Sequence, residues 1–168
     1  MATHSAGFWI DHLQLTSHIE GGAFKEIYRS DTVFSREQLP GHFTESRNAC
    51  THIYFLLQKN QFSAFHRIRS DELWHFYDGD PLIVYEIDKQ GNLQEHLLGK
   101  NVLTGQHLFC VIRAGNWFAA RLADGGDYTL TGCTVSPGFD FADFELAKKD
   151  ELITEYPQHD VLISQLCS

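Results

Sequence analysis

Residues 63–81 read SAFHRIRSDELWHFYDGDP, and the fold turns on how this stretch is read. Two short runs, Ser63–Arg67 and Glu72–Tyr77, carry the period-two pattern of strands with one face turned inward. Ser70-Asp71 supplies turn chemistry between them, and Asp78-Gly79 supplies it afterwards. Alternation places His66 on one face with Ala64 and Ile68, and Glu72 on one face with Trp74 and Phe76. Small and aromatic companions mark both as inner faces. The runs are expected to form two arms around a tight connection, with His66 and Glu72 close enough to interact inside. An imidazole and a carboxyl in an apolar interior shift each other's titration, and such pairs concentrate at functional sites. The plainer role for the pair is a hydrogen bond that pins two strands.

The same grammar continues on both sides. Candidate strands are Phe24–Ser30, Thr51–Leu57, Leu82–Ile87, Leu93–Leu98, His107–Ile112, Trp117–Leu122 and Tyr128–Val135. Gln90-Gly91-Asn92 and Gly125-Gly126 mark turns between several of them. Many short strands at this spacing indicate a sandwich or barrel rather than alternating strand–helix units. The ends differ. Phe8, Trp9, Ile10 and Leu13 recur near helical spacing. FADFELAKKDELITEY, residues 141–156, reads as a helix with Phe141, Phe144, Leu152 and Ile153 as packing residues. Pro157 interrupts it, and QHDVLISQL resumes as a second short helix with Val161, Leu162 and Leu166 inward. One domain over residues 1–168 is expected, with a β-core at about 20–136 and helical ends at about 5–15 and 140–167.

Composition narrows the function. A chain of 168 residues with 43% hydrophobic residues can hide about 70% of its unfolded surface and needs no staples. The net charge of -9, with no basic run, opposes binding to nucleic acid or to an anionic membrane. Cys50, Cys110, Cys133 and Cys167 show no C-x-x-C spacing and read as reduced thiols, Cys110 and Cys133 in apolar strands. The N-terminal MATHSAGFWIDHLQ is not a secretory signal, and the longest apolar run, Ile53–Leu57, is too short to span a bilayer. A cytoplasmic protein is expected. Glu20-Gly21-Gly22 lacks the pattern of a phosphate loop, and its glycines are read as permitting an unusual turn into the first strand.

His66, Glu72 and Gly79 fit the first motif of the cupin superfamily, H-x-H, three or four residues, E, six residues, G; Ile68 stands where the second His would be. Arg113–Arg121, RAGNWFAAR, resembles the second motif, with Gly115 as its glycine and Phe118 in place of its His. EGGAFKEIYRSD, SAFHRIRSDELWHFYDGDPL, AGNWFAAR and GCTVSPGFDFADFELA, with WIDHLQLT and ELITEYPQHDVLI at the ends, together resemble the fifth cupin family, a domain of unknown function. The resemblance implies a mostly β double-stranded β-helix, or jelly roll, with short N- and C-terminal helices, assembled as a homodimer.

Three site chemistries remain open. Catalytic zinc takes three protein ligands, and a facial iron site takes two His and a carboxylate. Ile68 and Phe118 cannot coordinate, so no metal and no cofactor is expected; were a metal held, His66, Glu72 and His75 would be the set, and His75 would need a β-bulge to face inward. A small-molecule pocket would use His66 and Glu72 as its polar end, Ile68, Trp74 and Phe118 as walls, and Tyr28 or its neighbour Arg29 nearby. Tyr28 and Arg29 point opposite ways on a strand, and the sequence does not choose between them. The third chemistry is metal-free proton transfer, with His66 as general base oriented by Glu72 and one of Tyr28, Tyr54, Tyr77, Tyr85 or Tyr128 as acid. That arrangement is similar to the RmlC-like deoxysugar-nucleotide 3,5-epimerases. His4, His12, His18, His42, His52, His96, His107 and His159 read as solvated or singly hydrogen-bonded.

Overall fold

The computed structural model describes residues 4–167. Residues 1–3 and 168 of the expected 1–168 domain lie outside the described residues. The elements are α1 (Ala6–Leu13), β1 (Thr16–Ser17), β2 (Ala23–Arg29), β3 (Val33–Phe34), β4 (Arg47–Asn48), β5 (Thr51–Gln58), β6 (Phe62–Arg67), β7 (Asp71–Gly79), β8 (Leu82–Ile87) and β9 (Leu93–Leu98). They continue with β10 (Phe109–Ile112), β11 (Trp117–Leu122), β12 (Tyr128–Ser136), β13 (Glu145–Leu146), α2 (Lys149–Glu155) and α3 (Asp160–Leu166).

Two antiparallel sheets face one another as a jelly roll. One runs β1-β2-β5-β12-β7-β10, the other β13-β6-β11-β8-β9, and β3 and β4 form a separate ribbon. The sheets are not closed into a hydrogen-bonded barrel. Inward residues of both, including Phe55, Trp74, Phe76, Val84, Ile112 and Phe118, make the core between them. A second apolar layer lies outside the five-stranded sheet, where Phe65, Tyr85, Ile87 and Trp117 are covered by Leu152, Ile163 and Leu166 of α2 and α3. A third lies under α1, whose Trp9 and Ile10 cover Leu56, Tyr128 and Leu130. The Ser5 side chain accepts the Phe8 N–H to start α1, and Gln14, at φ 57°, ends it. No helix among the described residues is long and apolar enough to cross a membrane.

The nine strands expected from the sequence are present, with small differences at their ends. Three expectations are corrected. First, β6 and β7 are not two arms of one hairpin. β6 belongs to the five-stranded sheet and β7 to the six-stranded one, so Ile68–Ser70 crosses between layers. Period two fixes which face a residue takes, and it is silent on which sheet the next strand joins.

Second, residues 141–156 are not one helix. Asp140 accepts the Ala142 N–H and caps a single 3-10 turn, Phe141–Asp143, after which β13 adds to the edge of β6. The i, i+3 spacing of Phe141 and Phe144 mimics a helix, yet both rings face a cavity. Third, α3 turns Ile163 and Leu166 inward and leaves Val161 exposed.

Candidate functional site

A cavity of about 270 Å³ lies at one end of the space between the sheets. Phe24, Ile53, Phe55, Ile68 and Val135 wall it from strands or strand ends, and Phe139, Phe141 and Phe144 wall it from the strap that follows β12. The strap is anchored. Arg47 donates to both carboxylate oxygens of Asp143 at 2.7 Å, and both side chains are almost wholly buried.

β2 shows how backbone geometry chooses the wall. Phe24 pairs with Phe55 and Glu26 with Ile53, but the register then slips so that Tyr28 pairs with His52 and Arg29 with Thr51. The extra residue, Ile27, is a bulge, and a one-residue insertion exchanges inward for outward positions. Arg29 therefore lines the cavity, whereas Tyr28 is 53% exposed. Arg29 is spoken for at the mouth: its Nε and one terminal nitrogen grip Glu26 at 2.9 and 2.8 Å, and the rest of the fork reaches Asn48 Oδ1 and the Phe139 carbonyl.

The deep end is polar. Gly21 and Gly22, at φ 113° and 72°, make the turn that delivers Glu20 into the interior. A Cβ on Gly21 would collide with the Phe62 carbonyl, and one on Gly22 would lie 2.7 Å from the Leu56 carbonyl oxygen. Ser63 donates to Glu20 Oε1 at 2.8 Å, and Glu20 Oε2 lies 3.1 Å from His66 Nε2. His66 Nδ1–H donates to the Ala64 carbonyl at 2.7 Å, which leaves Nε2 as an acceptor. His18 Nδ1 accepts the Glu20 backbone N–H at 3.3 Å. The His18 ring lies among Phe24, Phe55, Phe141 and Phe144.

Burial sets the charge states. It pushes His66 down to about 4, against the opposing pull of the Ala64 carbonyl. It raises Glu20 to about 7, opposed by His18 and the Ser63 hydroxyl. Glu72 rises to about 8, first through burial and then through the charge of Glu20, with a Cys133 thiol contact acting the other way. His18 is lowered by burial, partly offset by Glu20. Below about pH 7 the His66–Glu20 contact is therefore a carboxylic acid donating to a neutral imidazole rather than an ion pair. Loss of that proton would set two acceptors against each other.

Of the residues expected to form a pocket, His66, Ile68 and Glu72 line the cavity. Tyr28 does not, because of the bulge. Trp74 and Phe118 do not either: they are 1% and 0% exposed and fill the core behind it, with the Phe118 ring tilted against that of His66 at a centroid distance of 4.0 Å. Glu20 from the EGG turn, and not Glu72, is the carboxyl partner of His66. The conditional set His66, Glu72, His75 does not assemble, since His75 faces outward and bonds Thr134 Oγ1 at 3.1 Å beside Tyr77 and Phe109. Among the described residues no group of three or more His, Cys, Asp or Glu is placed to hold a metal ion. His18, expected to be ordinary, and Glu20 are the site residues that sequence reading missed. The signal available for Glu20 was its place directly before two glycines.

Residues 7–147 match a family described as Cupin superfamily (DUF985). Among solved structures, a hypothetical protein from Leishmania major is 37% identical at a TM-score of 0.88, over 98% of this chain and 99% of its own. A protein from Shewanella oneidensis is 34% identical at a TM-score of 0.89, over 99% of both chains. Oxalate decarboxylase from Bacillus subtilis is similar in fold alone, at 13% identity and a TM-score of 0.54, over 89% of this chain and 36% of that one. Among curated proteins, none matches.

Proposed function

The chain belongs to the DUF985 family of the cupin superfamily, and from that premise we propose that it binds a small organic molecule in the interior cavity, without a metal. The observation that carries the reading is a buried polar end, Glu20, His66, Glu72 and His18, set at the bottom of an aromatic-walled hole. Burying ionisable groups costs several kcal/mol unless something offsets it, and a well-packed hydrocarbon interior would avoid that cost. The volume, about 270 Å³, sits just below the ~300 Å³ at which pockets for drug-sized ligands begin, which suits a small metabolite. Native mass spectrometry of protein purified without chelator tests this. The expected result is an added organic mass that His66→Gln or Glu72→Gln removes. An added metal mass overturns the metal-free reading. The bare chain in every preparation overturns retention of a ligand.

A second reading, a metal-independent isomerase or epimerase of a sugar-like substrate, is favoured by one observation. Two carboxyls poised near neutrality share a cavity with a neutral imidazole. In the described structure both nitrogens of His66 are engaged, so base strength would be expressed through the Glu20–His66 couple. No tyrosine is among the lining residues, and Glu72, protonated near pH 7, takes the place of the acid. Incubating a keto sugar with the protein in D₂O and watching the adjacent C–H by NMR tests it. Deuterium incorporation that Glu72→Gln abolishes supports turnover, and none at all rejects it.

A further inference from the structure

The lining of the cavity also selects by charge. Four carboxyls, Glu20, Glu26, Glu72 and Asp140, face one guanidinium, that of Arg29. Arg29 has spent its Nε and both terminal nitrogens on Glu26, Asn48 and Phe139, so little of the fork is left for an anion. An anionic ligand would meet net negative charge at the mouth whatever the state of the deep carboxyls. Glu72 is 7% exposed and lines the cavity, with the Cys133 thiol beside it as its contact. The His18 side chain is 8% exposed and lines the same cavity, and with Nδ1 accepting from the backbone the ring proton sits on Nε2. Phe24, Phe55, Phe141 and Phe144 surround the His18 ring, and the same phenylalanines line the cavity that Glu72 shares. Rings beside a buried carboxyl attract organic cations, because the ring faces carry negative quadrupole and the carboxylate carries the counter-charge.

We propose that the cavity takes a small organic ammonium that also carries a hydroxyl or carbonyl oxygen: the ammonium pairs with Glu72 among the phenylalanine rings, and the oxygen accepts from His18. This rests on the reading of the cavity as a ligand site and deepens it. Binding has a proton balance. Glu72 enters as a carboxylic acid and releases its proton to the buffer, while the ammonium keeps its own, so the bound state is an ion pair. The titratable and charged groups around Glu72 are Glu20 from the turn before β2 and Cys133 of β12, which act on it directly, Cys110 of the adjacent β10, and, along the shared cavity, His18 from the same turn as Glu20 and His66 from β6, with Glu26, Arg29 and Asp140 at the mouth. With Glu72 near 8, about one proton leaves per ligand at pH 7, and the number falls above pH 8.

Three probes share one skeleton and differ in charge: 2-amino-1-phenylethanol, 1-phenyl-1,2-ethanediol and mandelate. Each is titrated calorimetrically into the protein at pH 7 in two buffers of different ionisation enthalpy, and the amine is repeated with Glu72→Gln after a melting curve shows that variant folded. The expected result is amine binding at least tenfold tighter than either partner, about one proton released, and loss of both features in the variant. Diol or mandelate binding as tightly as the amine overturns the ammonium proposal and leaves a ligand site standing. Amine binding without proton release, or unchanged in Glu72→Gln, also overturns it. No binding by any of the three overturns both the proposal and the reading beneath it.

Discussion

Glu72 is ionised in the unfolded chain at neutral pH and protonated in the folded one, because burial lifts it from 4.5 to about 8. The sign follows from linkage. A carboxyl whose folded value is raised contributes stability that is complete below its unfolded value and is lost as pH climbs through the folded one. Between about pH 4.5 and 8 the protein therefore loses stability from this group as pH rises, and Glu20, raised to about 7, acts in the same direction. His66 works oppositely: lowered to about 4, it makes the fold more stable as pH rises from 4 to 6.5. Glu72→Gln removes the first term while keeping the shape. The melting temperature of the variant is expected to match the parent near pH 4, below the unfolded value of 4.5, and to exceed it by roughly 5 °C or more at pH 9. A variant equally or less stable at pH 9 would show that Glu72 is not a buried neutral acid. At this scale the sequence was partly legible. Alternation gave the inward faces of His66, Ile68 and Glu72, but the carboxyl that meets His66 comes from 46 residues away in sequence, at Glu20.

Local backbone devices decide what each element presents. Gly21 sits at φ 113° against the Phe62 carbonyl, so Gly21→Ala meets both strain and collision. A loss of about 3 kcal/mol or more is expected in urea denaturation, with Glu20 drawn away from His66. The strap 139–147 depends on another contact. Arg47→Ala leaves Asp143 buried without its partner, a change that typically costs 3–5 kcal/mol. That loss is checked by denaturation, and quicker proteolytic cutting near Phe141 would show that the strap itself has been released. Arg47→Ala with unchanged stability would mean that Asp143 finds another cation, Arg69 at 3.8 Å being the nearest. The EGG turn could be read in advance because two adjacent glycines have few other uses. The bulge at Ile27 could not, since an inserted residue leaves no mark in a β-rich run.

The helices beyond β13 belong to the same packing unit as the sheets. The family match ends at residue 147, yet Leu152, Ile163 and Leu166, each at most 2% exposed, close the outer face of the five-stranded sheet. A chain ending at Ala147 would leave Trp117, Tyr85, Ile87 and Phe65 facing water, a patch of the kind that drives aggregation. It is expected to be insoluble or to lack a cooperative melt by circular dichroism. A soluble truncated chain with the parent melting temperature would show that α2 and α3 are accessory. The sequence itself determined the nine longer strands, the inward faces of His66, Ile68 and Glu72 and the family, because period two, turn residues and motif spacing are local properties written along the chain. Only the tertiary structure decided that β6 and β7 lie in opposite sheets, that Arg29 displaces Tyr28 from the wall, and that Glu20 and His18 complete the deep end. These depend on register and layer assignment between segments far apart in sequence, where a one-residue slip reverses a face and nothing local records it.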